Sequence, residues 1–250
     1  MTAPPRRFYT QVTSAADGDG FVVRLDNRSL RSPAGRPLRL PTAPLAKAIA
    51  EEWRAQENVI RTETMPLYAV AATAVDRVGP QRAAIIEQLL QYVATDLVCY
   101  RACEPADLVD EQTARWQPLL DWVAETWGVR LAVTDTLAPV RQPADAADRL
   151  RPSLERLDDL HLAALAVAVP AAGSLAVGLA LVLGRLDSDD ALAAACVDEL
   201  YQAERWGDDA ETRRHRDILK ADLRAVETVV CLSRADGDVF TTDRQTQVMP

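Results

Sequence analysis

The sequence predicts an α+β chain, mostly α, in which a small N-terminal antiparallel β unit precedes a larger multihelical domain. Two observations carry this reading. Up to Leu40 apolar residues alternate between Gly-, Asp- and Pro-rich turns, whereas from Thr42 onward they recur at spacings of three and four. A third bounds it: 250 residues with 48% hydrophobic and 26% charged composition are enough for a soluble globular protein with an ample core. The change of period near Pro41 divides the chain into a β-rich domain over 1–41, a helical domain over 42–235 and a tail of little apolar content over 236–250.

In order along the chain, Phe21, Val23 and Leu25 alternate with Val22, Arg24 and Asp26. Turn chemistry flanks them at Asp17-Gly18-Asp19-Gly20, Asp26-Asn27 and Pro33-Ala34-Gly35, so hairpins are expected. Pro37 and Pro41 confine the 38–40 segment to an edge or a short strand. Thr42 is placed to cap a helix carrying Leu45, Ile49 and Trp53 and running to about Glu57. A short apolar helix over 67–78 should stop at Gly79, and Pro80 suits the first turn of the next. Ile86, Leu90, Val93, Leu97 and Tyr100 then predict a helix of about twenty residues.

A helix over 111–127 follows, striped by Trp116, Leu120, Val123 and Trp127 and ended by Gly128. Residues 129–133 read as a lone strand or an extended connector, and Ala147, Leu150, Leu154 and Leu157 as another amphipathic helix. The apolar run 160–186 falls short of the roughly 20 uninterrupted residues of a membrane span. His161, Pro170 and Gly173-Ser174 divide it into a buried helical hairpin. Ser188 is the expected cap of a helix on which Leu192, Cys196, Leu200 and Ala203 share a face. Gly207 should end that helix in the left-handed conformation. Asp208 and Glu211 are spaced as the N-cap and capping partner of the last helix, which carries Leu219, Leu223, Val226 and Val230.

Charge and motif content narrow the function classes. A net charge of −9 disfavours a nucleic-acid partner. Two histidines, His161 and His215, rule out a multi-histidine metal site, and neither completes a Glu-x-x-His pair. Cys99, Cys103, Cys196 and Cys231 lack Cys-x-x-Cys spacing and read as buried free thiols in a reducing compartment; Cys99 and Cys103 would share a helical face. The sequence holds no phosphate loop, no Gly-x-Gly-x-x-Gly, no nucleophile elbow and no His-Glu-x-x-His. No metal and no cofactor are expected. The first seven residues carry no apolar h-region and no long amphipathic transit pattern, so a cytoplasmic protein without membrane insertion is expected.

The richest candidate site is the stretch from Cys196 to Glu211. Glu199, Gln202 and Trp206 line one shoulder of a helix, with Asp198 beside them and Gly207 after. Two chemistries fit: Asp198 and Glu199 as an acid/base pair of a small hydrolase or lyase, or the stripe as a protein-binding surface anchored by Trp206. Trp53, Trp116, Trp122 and Trp127 are expected to pack in the helical core; Trp122, off its helix's main stripe, is the better candidate among them for an exposed contact.

The motifs, in order, are Arg7-Phe8-Tyr9, Gly20-Phe21, Pro33-Ala34-Gly35-Arg36-Pro37, Glu52-Trp53-x-x-Gln56 and Met65-Pro66-Leu67. Thr95-Asp96-Leu97-x-Cys99-Tyr100-Arg101, Gln112-x-x-x-Trp116 and Asp198-Glu199-x-x-Gln202-x-x-x-Trp206-Gly207 complete the set. Their order and spacing resemble the assembly chaperones of the F-type ATP synthase, found in mitochondria and alphaproteobacteria. The resemblance implies a non-enzymatic chaperone, needing no cofactor and acting as a monomer. It would bind the unassembled alpha subunit and shield its subunit interface until beta joins. It implies a cytoplasmic location in bacteria and the mitochondrial matrix for eukaryotic relatives. Client-binding residues by this match are Asp198, Glu199, Gln202, Trp206 and Gly207, with Trp122 as an additional contact. One departure stands out: Ala72-Thr73-Ala74 occupies a place where the family usually has Asn-Thr-Ala.

Overall fold

The computed structural model describes residues 5–136 and 138–234; the predicted tail lies outside the described residues. Helix accounts for 63% of the structure, behind a three-stranded antiparallel sheet. Strands β1 (Val12–Asp17) and β2 (Gly20–Leu25) form a hairpin closed at Gly18-Asp19, with Gly18 at φ 63°. β3 (Arg28–Ser29) pairs back on β2 across Asp26-Asn27. Asp26 adopts φ 54°, and its carboxylate accepts from the Thr10 and Gln11 amides at 3.0 and 2.8 Å. Leu40 exchanges backbone bonds with Phe21, which places the 38–40 segment at an edge, as Pro37 and Pro41 require.

Helix α1 (Ala43–Arg54) starts at Thr42, whose hydroxyl accepts from the Leu45 amide at 3.3 Å. It buries Leu45, Ile49 and Trp53 and ends at Arg54, a turn short of Glu57. Gly79 itself keeps helical angles, and the break comes two residues after it. α2 (Pro66–Thr73) passes through a π-turn over Ala74–Val78 into α3 (Gly79–Leu90), which is kinked at Gln81 by non-helical angles, φ −128° and ψ 24°. Pro80 has no N–H for the carbonyl four residues back, and the wider turn accommodates that loss.

The long helix expected through Tyr100 is absent. After Leu90 the chain tightens to a 3-10 turn over Gln91–Thr95, and Asp96 turns extended because its carboxylate is committed elsewhere. α4 (Ala106–Trp127) begins earlier than the apolar stripe suggested and ends at Gly128, which adopts φ 68° in the left-handed region. Residues 129–133 form a connector with no strand of their own, and one isolated parallel bridge joins Tyr100 to Thr134.

α5 (Ala146–Arg156) precedes the predicted hairpin, α6 (Asp159–Ala172) and α7 (Leu175–Val182), joined by left-handed Gly173 and the Ser174 cap. Every residue of α7 is buried. The hairpin lies at the centre of the helical part, against α2, α4 and the last helix. One continuous core links it to the sheet through α1.

The cap of α8 (Ser188–Ala195) is Asp187, not Ser188, and the helix breaks at Cys196. Leu192 and Leu200 are therefore on different helices, and Leu200 is partly exposed. α9 (Val197–Trp206) is separate, and α10 (Ala210–Ser233) is capped by Asp209, which accepts from the Glu211 and Thr212 amides at 2.9 Å each. Asp208, one residue earlier, pairs with Arg216 and Arg213 instead. The thiols also differ from expectation: Cys99 and Cys196 are buried, Cys103 and Cys231 exposed. Cys99 ends a 3-10 turn and Cys103 lies in coil, so they share no helical face. Ala72 is 5% exposed, so the departure from Asn falls inside the fold and removes no surface contact.

Candidate functional site

Helix α9 buries only Val197 and Tyr201, so polar bonds hold much of it in place. Gln112, 1% exposed on α4, donates to Asp198 at 2.6 Å and accepts from the Ala102 amide at 2.7 Å. Its whole amide is thereby spent on joining α9, α4 and the preceding coil. Trp116, one turn further along α4, donates from its indole to the Ala194 carbonyl at 2.8 Å and fixes the end of α8. Asp107, in the first turn of α4, accepts from the Tyr201 hydroxyl at 2.7 Å and from Arg205. The Tyr201 bond first, and Arg205 with it, hold the Asp107 carboxyl below its ordinary range. The Arg205 guanidinium also stacks 3.4 Å above the Tyr201 ring.

These anchors decide where the predicted residues point. Asp198 faces α4. Glu199 is half-buried near Cys196, whose thiol is pushed up to about 12 by burial and by the Glu199 carboxylate. Gln202 and Trp206 face outward, and Trp206 is 75% exposed with its ring edge-on to Tyr201 at 6.4 Å. Gly207 takes φ 86°, ψ 167°: a positive φ as expected, but extended and not left-handed helical. No atom lies within 4 Å of the Cβ it lacks, so backbone conformation alone calls for glycine there. The corner after it is closed by Asp208 on Arg216, both largely buried, with Asp208 Oδ1 and Arg216 Nη1 left without partners among the described residues.

Trp122 does not join this surface. It is half-buried, packs edge-to-face on Trp127 at 4.8 Å, and carries Arg185 over its ring at 5.4 Å. Trp53 and Trp116 are buried, and Trp127 donates to Ser153 at 2.6 Å.

Periodicity missed two carboxylates, though both lie within the quoted motifs. Glu52 on α1 accepts from the Leu67 and Tyr68 amides at 2.8 Å each, capping α2 from outside. Asp96 does the same for α7, accepting from Leu175 and Ala176 at 2.8 and 3.1 Å. Burial raises both pKa values, that of Glu52 to about 7. The motifs Glu52-Trp53, Thr95-Asp96-Leu97 and Gln112-x-x-x-Trp116 thus encode ties between distant helices.

One array has the connectivity of a hydrolytic triad. Asp158 meets His161 Nδ1 at 2.8 Å, and His161 Nε2 meets Ser233 Oγ at 3.2 Å. Ser233 is buried in the last turn of α10 and donates to the Val230 carbonyl at 3.0 Å, so the array ties helix ends together. Open cavities of 460 Å³ beside Arg36 and Leu160 and 540 Å³ beside Gln56 and Arg61 lie away from α9. The α9 stripe presents an outward helical surface with Trp206 standing out of it.

A family model described as ATP12 chaperone protein matches residues 6–124. Two curated relatives are similar over most of their length. Protein atp12, mitochondrial, of Schizosaccharomyces pombe is 28% identical over 214 residues, covering 81% of this chain and 74% of the relative. Protein ATP12, mitochondrial, of Saccharomyces cerevisiae is 22% identical over 269 residues, covering 90% and 82%. Among solved structures, Atp12 from Paracoccus denitrificans superposes with a TM-score of 0.84 at 41% identity, covering 92% of this chain and 98% of that one. A protein from Agrobacterium tumefaciens superposes with a TM-score of 0.84 at 35% identity, covering 92% and 87%.

Proposed function

The chain belongs to the ATP12 chaperone family, and from that premise we propose that it binds the unassembled alpha subunit of the F-type ATP synthase. It shields the subunit interface of alpha until beta joins, with Glu199, Gln202 and Trp206 of α9 as a client-contacting surface. The chaperone acts as a monomer and without catalysis, in the bacterial cytoplasm or, for the eukaryotic relatives, in the mitochondrial matrix. The observation that carries the reading is Trp206: a large aromatic 75% exposed, on a helix that polar ties to α4 hold in position.

Asp198 serves this surface from behind, through Gln112, and Gly207 by turning the chain away after Trp206. Among the described residues no helix is long and apolar enough to cross a membrane.

The test is binding of purified alpha subunit to the Trp206→Ala and Glu199→Lys variants. An exposed tryptophan that anchors an interface is worth about 2 kcal/mol or more, roughly thirtyfold in affinity. Truncating an exposed side chain moves folding stability by about 0.5 kcal/mol or less. Expected for Trp206→Ala is a loss of that size in affinity with an unchanged melting point. For Glu199→Lys, at a half-buried position, lost binding with unchanged folding marks a client contact and a lowered melting point marks a structural role. Wild-type affinity in both variants would remove α9 from the interface.

A further inference from the structure

β1 is an edge strand, and its register fixes which backbone groups it leaves free. The two-residue turn at Gly18-Asp19 makes Asp17 and Gly20 a mutually bonded pair, and the antiparallel alternation then makes bonded pairs of Ala15 with Val22 and Thr13 with Arg24. The Asp26 amide bonding the Gln11 carbonyl continues the same phase. On the far side of β2, Phe21 bonds Leu40 and Val23 bonds Leu30, the complementary set. The N–H and C=O groups of Val12, Ser14 and Ala16 therefore point outward, away from β2.

The Arg54 guanidinium takes the Val12 carbonyl at 2.8 Å. Among the described residues nothing bonds the backbone of Ser14 or Ala16. Natural sheets blunt such an edge with proline, lysine or a bulge. This one has none of these from Val12 to Asp17: its six pairs with β2 are one-to-one. Thr13, Ser14 and Ala16 are exposed, and their side chains are small and uncharged.

We propose that the free edge of β1 is a β-augmentation site that takes an extended segment of the client; the client's identity rests on the function proposed above. The free groups dictate the occupant's chemistry. Donors and acceptors repeating about every 6.8 Å along a line are matched by another extended backbone. Ser14 and Ala16 offer such a backbone four hydrogen bonds, and their small side chains make little demand on its sequence. A second copy of this chain is the poorer occupant. Two six-residue strands bury far less than the roughly 1,200 Å² of a stable interface, whereas a client also engages α9. Arg54 marks one end of the site, so the pairing runs from Ser14 toward the Gly18 turn.

Residue-resolved amide hydrogen exchange of the chain, alone and with purified alpha subunit, tests this. In the free chain Thr13, Ala15 and Asp17 should be protected while Ser14 and Ala16 exchange fast. In the complex Ser14 and Ala16 should slow by at least tenfold, giving a continuous protected strand. A complex in which those two amides stay fast overturns the proposal and leaves the α9 reading standing, whereas absence of any complex defeats that reading instead. Protection already present in the free chain also overturns it, pointing to self-pairing if it depends on concentration and to another part of this chain if it does not. A Ser14→Pro variant, which removes an outward N–H and no bond to β2, should weaken binding by roughly tenfold while Ser14→Ala does not. The Thr13 and Ala15 amides should still be protected in the free proline variant, showing that the ring leaves β1 paired. Equal binding by both variants counts against the edge.

Discussion

Replacing Asp96 with Ala should cost far more stability than one carboxylate in a loop suggests. The side chain is 1% exposed, and it accepts from the Leu175, Ala176 and Val98 amides at 2.8, 3.1 and 3.3 Å. All eight residues of α7 are buried, so water cannot replace the lost acceptor. Two strong backbone donors left unsatisfied cost about 1–3 kcal/mol each. Against this stands relief from holding a carboxylate in a dry site, since burial raises its pKa. The net expectation is a loss of roughly 2–4 kcal/mol. Asp96→Asn can keep both strong bonds, because the Leu175 and Ala176 amides share Oδ2, and should lose only the 3.3 Å bond from Val98 to Oδ1, about 1 kcal/mol. Urea unfolding at neutral pH measures both, and the slope against urea should not change, because the surface exposed on unfolding is the same. A loss below about 1 kcal/mol for the alanine variant would refute the view that this residue seats α7.

Glu52 gives the stability a pH dependence. Its folded pKa of about 7 lies above the ordinary 4.5, so its contribution is fully present below 4.5 and is lost as pH rises to 7. Because the group is only half-buried, roughly 1–2 kcal/mol is expected across that window. In Glu52→Gln, urea midpoints measured from pH 4.5 to 7 should lose that slope. Under native conditions a thiol reagent should modify Cys103 and Cys231 promptly and reach Cys99 and Cys196 only on unfolding, as mass spectrometry of the labelled chain will show. Gln112→Ala leaves Asp198 and the Ala102 amide without partners, so it should cost about 1–3 kcal/mol and loosen α9, read as faster amide exchange across Val197–Trp206.

Local chemistry made part of this fold legible. Gly18-Asp19 and Asp26-Asn27 turn where their residue types demand, Thr42 caps α1, Gly128 ends α4, and Gly173-Ser174 divides the hairpin. The failures arise where a distant partner overrides periodicity. Asp96 breaks a predicted helix because its carboxylate serves amides 79 and 80 residues away. Cys196 ends α8 although Leu192 and Leu200 keep helical spacing across the break. At Gly79 the expected stop is displaced, not absent: Gly79 keeps helical angles after a π-turn, and the kink falls at Gln81.

For the candidate site, spacing identified the stripe of Glu199, Gln202 and Trp206, and the structure turns Gln202 and Trp206 outward. Spacing gave no sign of Asp107, Tyr201, Arg205 or Gln112, which hold α9 through bonds spanning 86 residues or more. It also put the cap of α10 at Asp208 instead of Asp209, since either aspartate suits an N-cap and only the pairing of Asp208 with Arg216 separates them.

The most direct measurement is size-exclusion chromatography of the chain mixed with isolated alpha subunit, with beta added afterwards. The account predicts a stoichiometric complex that beta dissolves, and a much weaker complex with the Trp206→Ala variant. Separate elution of chaperone and alpha subunit across a range of salt concentrations would contradict it.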